Sequence, residues 1–208
     1  MTFSPTPNSS LTPSSGEQMP VREPQKERKE SLIHEILRFA FFALVIVLPV
    51  RMFIAQPFIV SGASMETTFS TKEYLIVDQL TYHFEEPMRG DVIVFRYPKD
   101  PSKFFIKRII GLPGDTIHIE GSEVTITNTE HPEGMVLEEA YIHSMRAGAT
   151  VNETLGVDEY FVMGDNCDAS SDSRAWGVLQ RDHIVGRAFL RLFPLTKADV
   201  FPGKYVIE

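Results

Sequence analysis

The alternation of apolar and polar positions divides the chain into three stretches of different texture. Residues 1–30 are dominated by Ser, Thr, Pro, Glu and Lys, with almost no large apolar side chains. Such a segment cannot bury enough surface to offset the entropy of ordering it, so a disordered tail is expected there. From Phe39 the texture reverses: Phe39 to Val50 is apolar without a break, and after Arg51 the run resumes from Met52 to Val60. Its uninterrupted core of 12 residues does not establish a membrane span by length alone. Counted through Val60 the run has 22 residues, roughly 33 Å as a helix, which is enough to cross. Arg51 and Gln56 would then lie near the far interface, the arginine reaching for headgroups. The pattern predicts one transmembrane anchor over 31–60. A buried soluble helix would show a polar face, and none is visible. A cleaved leader is the other alternative, since Ser61-Gly62-Ala63 is a small-x-small pattern. Against it, 38 residues precede the apolar core, too many for an ordinary leader's first region.

Beyond residue 60 the period shortens to two. Tyr74–Val77, Asp91–Tyr97, Phe104–Ile110, Thr116–Glu120, Glu123–Thr127 and Tyr160–Met163 are short β-branched or aromatic runs, separated by turns at Pro87–Gly90, Gly111–Asp115 and Gly121–Ser122. The fold class expected is mainly β: an antiparallel sheet domain over 61–208, preceded by one transmembrane helix and a disordered tail. Residues 128–158 are more polar and irregular and are expected to form a surface excursion.

Charge places these parts. Residues 1–60 carry a net +1 and residues 61–208 a net −9, within a total of −8. An acidic body argues against nucleic acid as a partner. Arg22, Lys26, Arg28, Lys29 and Arg38 precede the span, whereas only Lys72 falls in the twenty residues after Val60. The bias predicts a cytoplasmic tail and an extracytoplasmic domain on a single-pass membrane protein. One cysteine, Cys167, excludes an internal disulfide or a multi-cysteine zinc site, and six histidines show no ligand spacing. No metal and no cofactor are expected.

Three stretches could carry chemistry. In Ser61-Gly-Ala-Ser-Met-Glu-Thr-Thr-Phe69, small residues before Ser64 leave room for a substrate backbone and free amide N–H groups to meet it. The same residues would also serve as a plain turn from anchor to domain. A serine nucleophile needs a base, and Lys107 in Phe104-Phe-Ile-Lys-Arg-Ile-Ile110 is the best candidate. Strand alternation puts Lys107 on a face with Phe105 and Ile109, and Arg108 on the other with Ile106 and Ile110. Desolvation on an apolar face would lower the lysine pKa into a useful range, although an edge-strand lysine that deters aggregation has the same appearance. The third stretch, Gly164 to Arg174, is dense in hydroxyls and carboxylates. It reads either as solvated surface or as support, with Asp172 and Arg174 pairing and a serine orienting the lysine.

Taken together, these stretches resemble the bacterial type I signal peptidases, membrane-anchored Ser/Lys proteases that remove signal peptides from exported proteins. The similarity runs from about Phe39 to Arg187. It implies that Ser64 is the nucleophile and Lys107 the general base, that Ser170 lies near the lysine, and that Asp172 and Arg174 form an ion pair. It also implies secretory preproteins and the lipid bilayer as partners of a monomer. The chain departs from the family in three places. Thr67 stands where proline is usual, Cys167 where arginine is frequent, and Gly62 where some members carry a second serine that assists the oxyanion. The oxyanion would then rest on backbone N–H groups around Gly62–Ser64. Exposed Phe or Met side chains within Met65–Phe69 are expected at the membrane interface. A soluble self-cleaving Ser/Lys regulator and a catalytically silent anchored binding protein remain open on the residues alone.

Overall fold

The computed structural model describes residues 26–50, 54–137 and 150–204. Helix α1 spans Lys26–Pro49, so residues 26–30, expected in the tail, are helical; the rest of the expected tail lies outside the described residues. Its apolar side chains stand in the open, Phe39 at 79% and Ile36 at 65% exposure. Leu32–Pro49 is long and apolar enough to cross a membrane. The anchor drawn over 31–60 needs correcting at its end. The α-helix ends at Pro49, Val50 and Ile54 are in a wider π turn, and Ala55–Ile59 is a strand, β1. Proline explains both halves of the correction. Pro49 has no N–H to give the α-helical ladder, and Pro57 is tolerated because β1 is an edge strand.

The remaining strands are β2 (Tyr74–Asp78), β3 (Val92–Tyr97), β4 (Asp100–Gly111), β5 (Thr116–Glu120), β6 (Glu123–Thr127), β7 (Met135–Val136), β8 (Thr150–Thr154), β9 (Glu159–Met163), β10 (Leu179–Gln180), β11 (Ile184–Phe193) and β12 (Asp199–Val200), with a one-turn helix α2 at Ser173–Trp176. Among the described residues they form two antiparallel sheets. The larger runs β1-β2-β11-β3-β4-β9-β10, with β12 added to β11, and the smaller runs β7-β6-β5-β8. Residues 128–158, expected as an irregular excursion, supply β7 and β8 to the smaller sheet, and Leu155 is buried. Their polar sequence misled because β8 is an edge strand with little apolar burial of its own. Residues 138–149 lie outside the described residues.

Three apolar clusters hold this together. Ile117, Ile119, Val124 and Ile126 of the small sheet meet Ile110, Phe161 and Met163 of the large one. Ile93, Phe95, Ile109, Tyr160 and Val162 form a second cluster, against which Phe105 and Trp176 pack. Val60, Met65, Phe69, Leu75 and Val92 form the third, with Ile106 against it. β3 and β4 therefore have apolar contacts on both faces. That is why Val92 to Phe95 reads as an unbroken apolar run and not as an alternation.

Candidate active site

Ser64 lies on the turn that leaves β1. Past the strand, the β1–β2 ladder continues through Val60, whose N–H donates to Glu73 O and whose carbonyl accepts from Lys72 N, both at 2.9 Å. Met65 and Phe69 then plug into the third cluster at 1% and 0% exposure, so these side chains serve the core and not a membrane interface. Burying a large apolar side chain is worth about 1.5–3 kcal/mol, and here the two anchors sit one and five residues after the serine. Further fixings are polar. Thr68 Oγ1 donates to Asp165 at 2.5 Å, Asn166 N–H donates to the Ser64 carbonyl at 3.0 Å, and Arg191 donates to Thr68 O at 2.8 Å. Arg191 is itself held by buried Glu73 at 2.9 Å.

Lys107 comes to this serine from β4, opposite Ile93 of β3. Its Nζ donates to Ser64 Oγ at 2.7 Å and to the Ile106 carbonyl at 2.9 Å, and lies 5.5 Å from the centre of the Phe105 ring. The side chain is 3% exposed. No carboxylate is within ion-pairing distance among the described residues. Burial pushes the lysine pKa down from 10.5 to about 8, opposed by the negative charges of Asp172 and Asp165. The amine is therefore close to half neutral in mildly alkaline water.

Arg108, the next residue, has the opposite surroundings. Its Nε and Nη2 donate to the two oxygens of Asp165 at 2.9 and 2.7 Å, and Nη1 reaches the carbonyls of Gly90 and Gly203 at 2.9 and 2.5 Å. Sequence reading missed Asp165, Thr68, Glu73 and Arg191. For Asp165 a signal existed: an arginine between apolar neighbours on a strand needs a buried carboxylate somewhere.

Asp172 and Arg174 pair as expected, with Nε and Nη2 both at 2.8 Å from the carboxylate. Asp172 also accepts the Gly164 N–H at 3.1 Å, which closes the loop 164–174 on itself. Gly164 is where this loop passes the serine. A Cβ there would lie 2.4 Å from the Ser64 carbonyl oxygen and 2.3 Å from Ser170 Oγ, so only glycine fits. For Ser170 a direct bond that would orient the lysine is not made. Its hydroxyl is buried without a hydrogen-bond partner among the described residues, and the lysine bonds go to Ser64 and Ile106 instead. At φ +102° Gly62 takes a conformation that favours glycine, and its N–H is spent on Thr71 Oγ1 at 3.2 Å. Among the described residues the amides of Ala63 and Ser64 donate to nothing and remain for a ligand.

Beside the Ser64–Lys107 pair runs a groove of about 490 Å³ lined by Phe58 and Val60 on one side and Phe104 and Ile106 on the other, with Leu75 and Val94 below. β1 is an edge strand, and β9 pairs with β4 only from Arg108 onward. Two strand edges thus face the groove, which suits an extended peptide.

A hydroxyl against a desolvated amine, at the end of a strand-lined groove, fits the class of serine peptide hydrolases. The model of the family described as signal peptidase, peptidase S26, matches residues 33–193. The chain belongs to that family. Among similar proteins are signal peptidase I of Leptolyngbya laminosa, 35% identical with 86% of this chain and 90% of that one covered, and probable signal peptidase I-2 of a Synechocystis strain, 33% identical with 86% and 84% covered. Signal peptidase I P of Bacillus subtilis subsp. natto is 33% identical, with 83% and 96% covered.

Proposed function

We propose that this chain is a membrane-anchored serine endopeptidase that removes N-terminal signal peptides from exported preproteins, with Ser64 as nucleophile and Lys107 as general base. The observation that carries this reading is the 2.7 Å contact between Ser64 Oγ and a lysine that burial has brought to a pKa of about 8. Neutral Lys107 takes the Ser64 proton as Oγ attacks the scissile carbonyl. The oxyanion that forms meets the amides of Ala63 and Ser64. The protonated lysine then returns its proton to the leaving amine, an acyl-enzyme remains, and the same lysine activates the water that hydrolyses it. Asp172 and Arg174 hold the loop over the lysine. The substrate lies extended between β1 and β4, with alternate side chains directed at Val60, Ile106 and Leu75. The tail is cytoplasmic and the β domain extracytoplasmic, so the site stands beside the membrane in which a signal peptide is itself embedded.

The test is to incubate the detergent-solubilised full chain with a secretory precursor, beside Ser64→Ala and Lys107→Ala variants. Cleavage by the wild type and its loss in both folded variants is the expected result. Undiminished cleavage by the lysine variant overturns its role as base.

A further inference from the structure

The turn that carries Ser64 leaves the sheet before it reaches the serine. Its last ladder bonds are those of Val60 with Lys72 and Glu73, so the peptide groups that follow need other partners. Three successive carbonyls of the turn each find a donor. Ala63 O accepts from Glu66 N–H at 3.1 Å and Ser64 O from Asn166 N–H at 3.0 Å, both main-chain amides. The Gly62 carbonyl is held by a side chain instead, accepting from Thr71 Oγ1 at 3.2 Å. The same hydroxyl accepts the Gly62 N–H, also at 3.2 Å, as a group that is both donor and acceptor can. Both ends of Gly62 thus rest on one side chain.

A trans peptide is planar, and its N–H points away from its C=O. Tying the Gly62 carbonyl therefore fixes the direction of the Ala63 N–H, just as tying the Ala63 carbonyl fixes that of the Ser64 N–H. These are the two amides that the mechanism above turns on the oxyanion. The second is set by the turn's own main chain, whereas the first depends on Thr71. Gly62 makes that dependence acute, because glycine has the widest choice of conformations to drift into. We propose that Thr71 is a positioning residue for the peptidase reaction: its hydroxyl clamps Gly62 at both ends and so aims the Ala63 amide at the oxyanion. This rests on the reading of Ser64 as the nucleophile. Thr71 is not among the residues that line the groove, so it acts on the turn and not on the bound peptide. It is exposed, as are its two bonds, and bonds open to water add little to stability. Their effect is on direction, since an amide that turns away is lost as an oxyanion donor.

The test sets the detergent-solubilised full chain beside Thr71→Val, which keeps the shape and loses the hydroxyl, and Thr71→Ser, which keeps the hydroxyl. Each is given a secretory precursor, kcat and KM are determined separately, and Ser64→Ala is the control. Thr71→Val should lower kcat about 10-fold, a part of the roughly 10²–10³ lost with a whole oxyanion donor. Its KM, the midpoint of its pH profile and its melting temperature should stay near wild type. Thr71→Ser should stay within about twofold of wild type in kcat, because the clamp is restored. An undiminished kcat in Thr71→Val, or an equal loss in Thr71→Ser, overturns the assignment, while Ser64-dependent cleavage keeps the peptidase reading standing. A change confined to KM makes Thr71 a substrate contact, and a moved pH midpoint makes it a modulator of Lys107; either overturns positioning. A Thr71→Val chain that melts well below wild type makes the residue structural and overturns it as well. Cleavage that survives Ser64→Ala, or that wild type fails to show, removes the reading and the proposal together.

Discussion

Lys107 and Arg108 are adjacent, equally buried cations on one strand, at 3% and 1% exposure, and the fold treats them in opposite ways. Arg108 receives a bidentate carboxylate and two backbone carbonyls. Lys107 receives a serine hydroxyl and one carbonyl. A buried charge that is fully paired stays charged and holds structure; one that is desolvated without a paired carboxylate gives up its proton more readily. Period-two alternation makes the contrast possible, because it sends neighbours on a strand into different surroundings.

The largest effects should come from the lysine side. Lys107→Met, which keeps the volume and removes the amine, should lower precursor cleavage by roughly 10³-fold or more, as losing one member of a nucleophile–base unit does. Circular dichroism melting in detergent should stay near wild type or rise, since a costly buried amine has gone. A large drop in melting temperature would show that Lys107 is structural after all and erase the contrast.

Next is the arginine. Arg108→Met leaves Asp165 buried and unpaired, and should destabilise by about 3–5 kcal/mol. Chemical denaturation measures it. The double variant Arg108→Met with Asp165→Leu should recover part of the loss, because no orphaned charge remains. Equal destabilisation of single and double variants would mean that volume, and not charge pairing, matters at this site.

The pH dependence sharpens the comparison further. With its pKa lowered to about 8, Lys107 is neutral above that value, so kcat/KM should rise as pH increases through it and then level off. The same shift makes the unfolded chain bind the extra proton between about 8 and 10.5, so this residue's contribution to stability improves as pH rises through that window. Asp172 opposes the shift, and Asp172→Asn should therefore move the midpoint of the rate profile below that of the wild type. An upward movement would contradict the electrostatic account.

The smallest effect is at Thr68. Thr68→Val removes one hydrogen bond to the Arg108–Asp165 pair and should cost about 1 kcal/mol. A loss as large as that of Arg108→Met would place the threonine, and not the ion pair, at the centre of this network.

Much of the site was legible in the chain because its signals are local. Asp172 and Arg174 are two residues apart, so their pairing needs only a turn. Lys107 among Phe105 and Ile109 reports its own desolvation through strand alternation. What misled was also local. Ala55–Ile59 continues the apolar run of the anchor, and composition cannot distinguish the end of a membrane helix from an apolar edge strand when both are rich in Phe and Ile. Met65 and Phe69 read as exposed turn residues because nothing in nine residues says that a core lies beneath them. Ser170 stands in the expected stretch, yet among the described residues its buried hydroxyl has no hydrogen-bond partner, which no motif records.

Residue types and their spacing were thus enough to establish the antiparallel class, the apolar helix, and a strand that sends a lysine and an arginine to opposite sides. Only the folded molecule decided that Ser64, 43 positions before the lysine, ends 2.7 Å from its amine, and that Asp165, 57 positions beyond the arginine, meets its guanidinium. The reason is physical. Alternation within a strand follows from backbone geometry at each residue, whereas the partner across a gap depends on strand order and register, and those are settled by how all three apolar clusters pack at once.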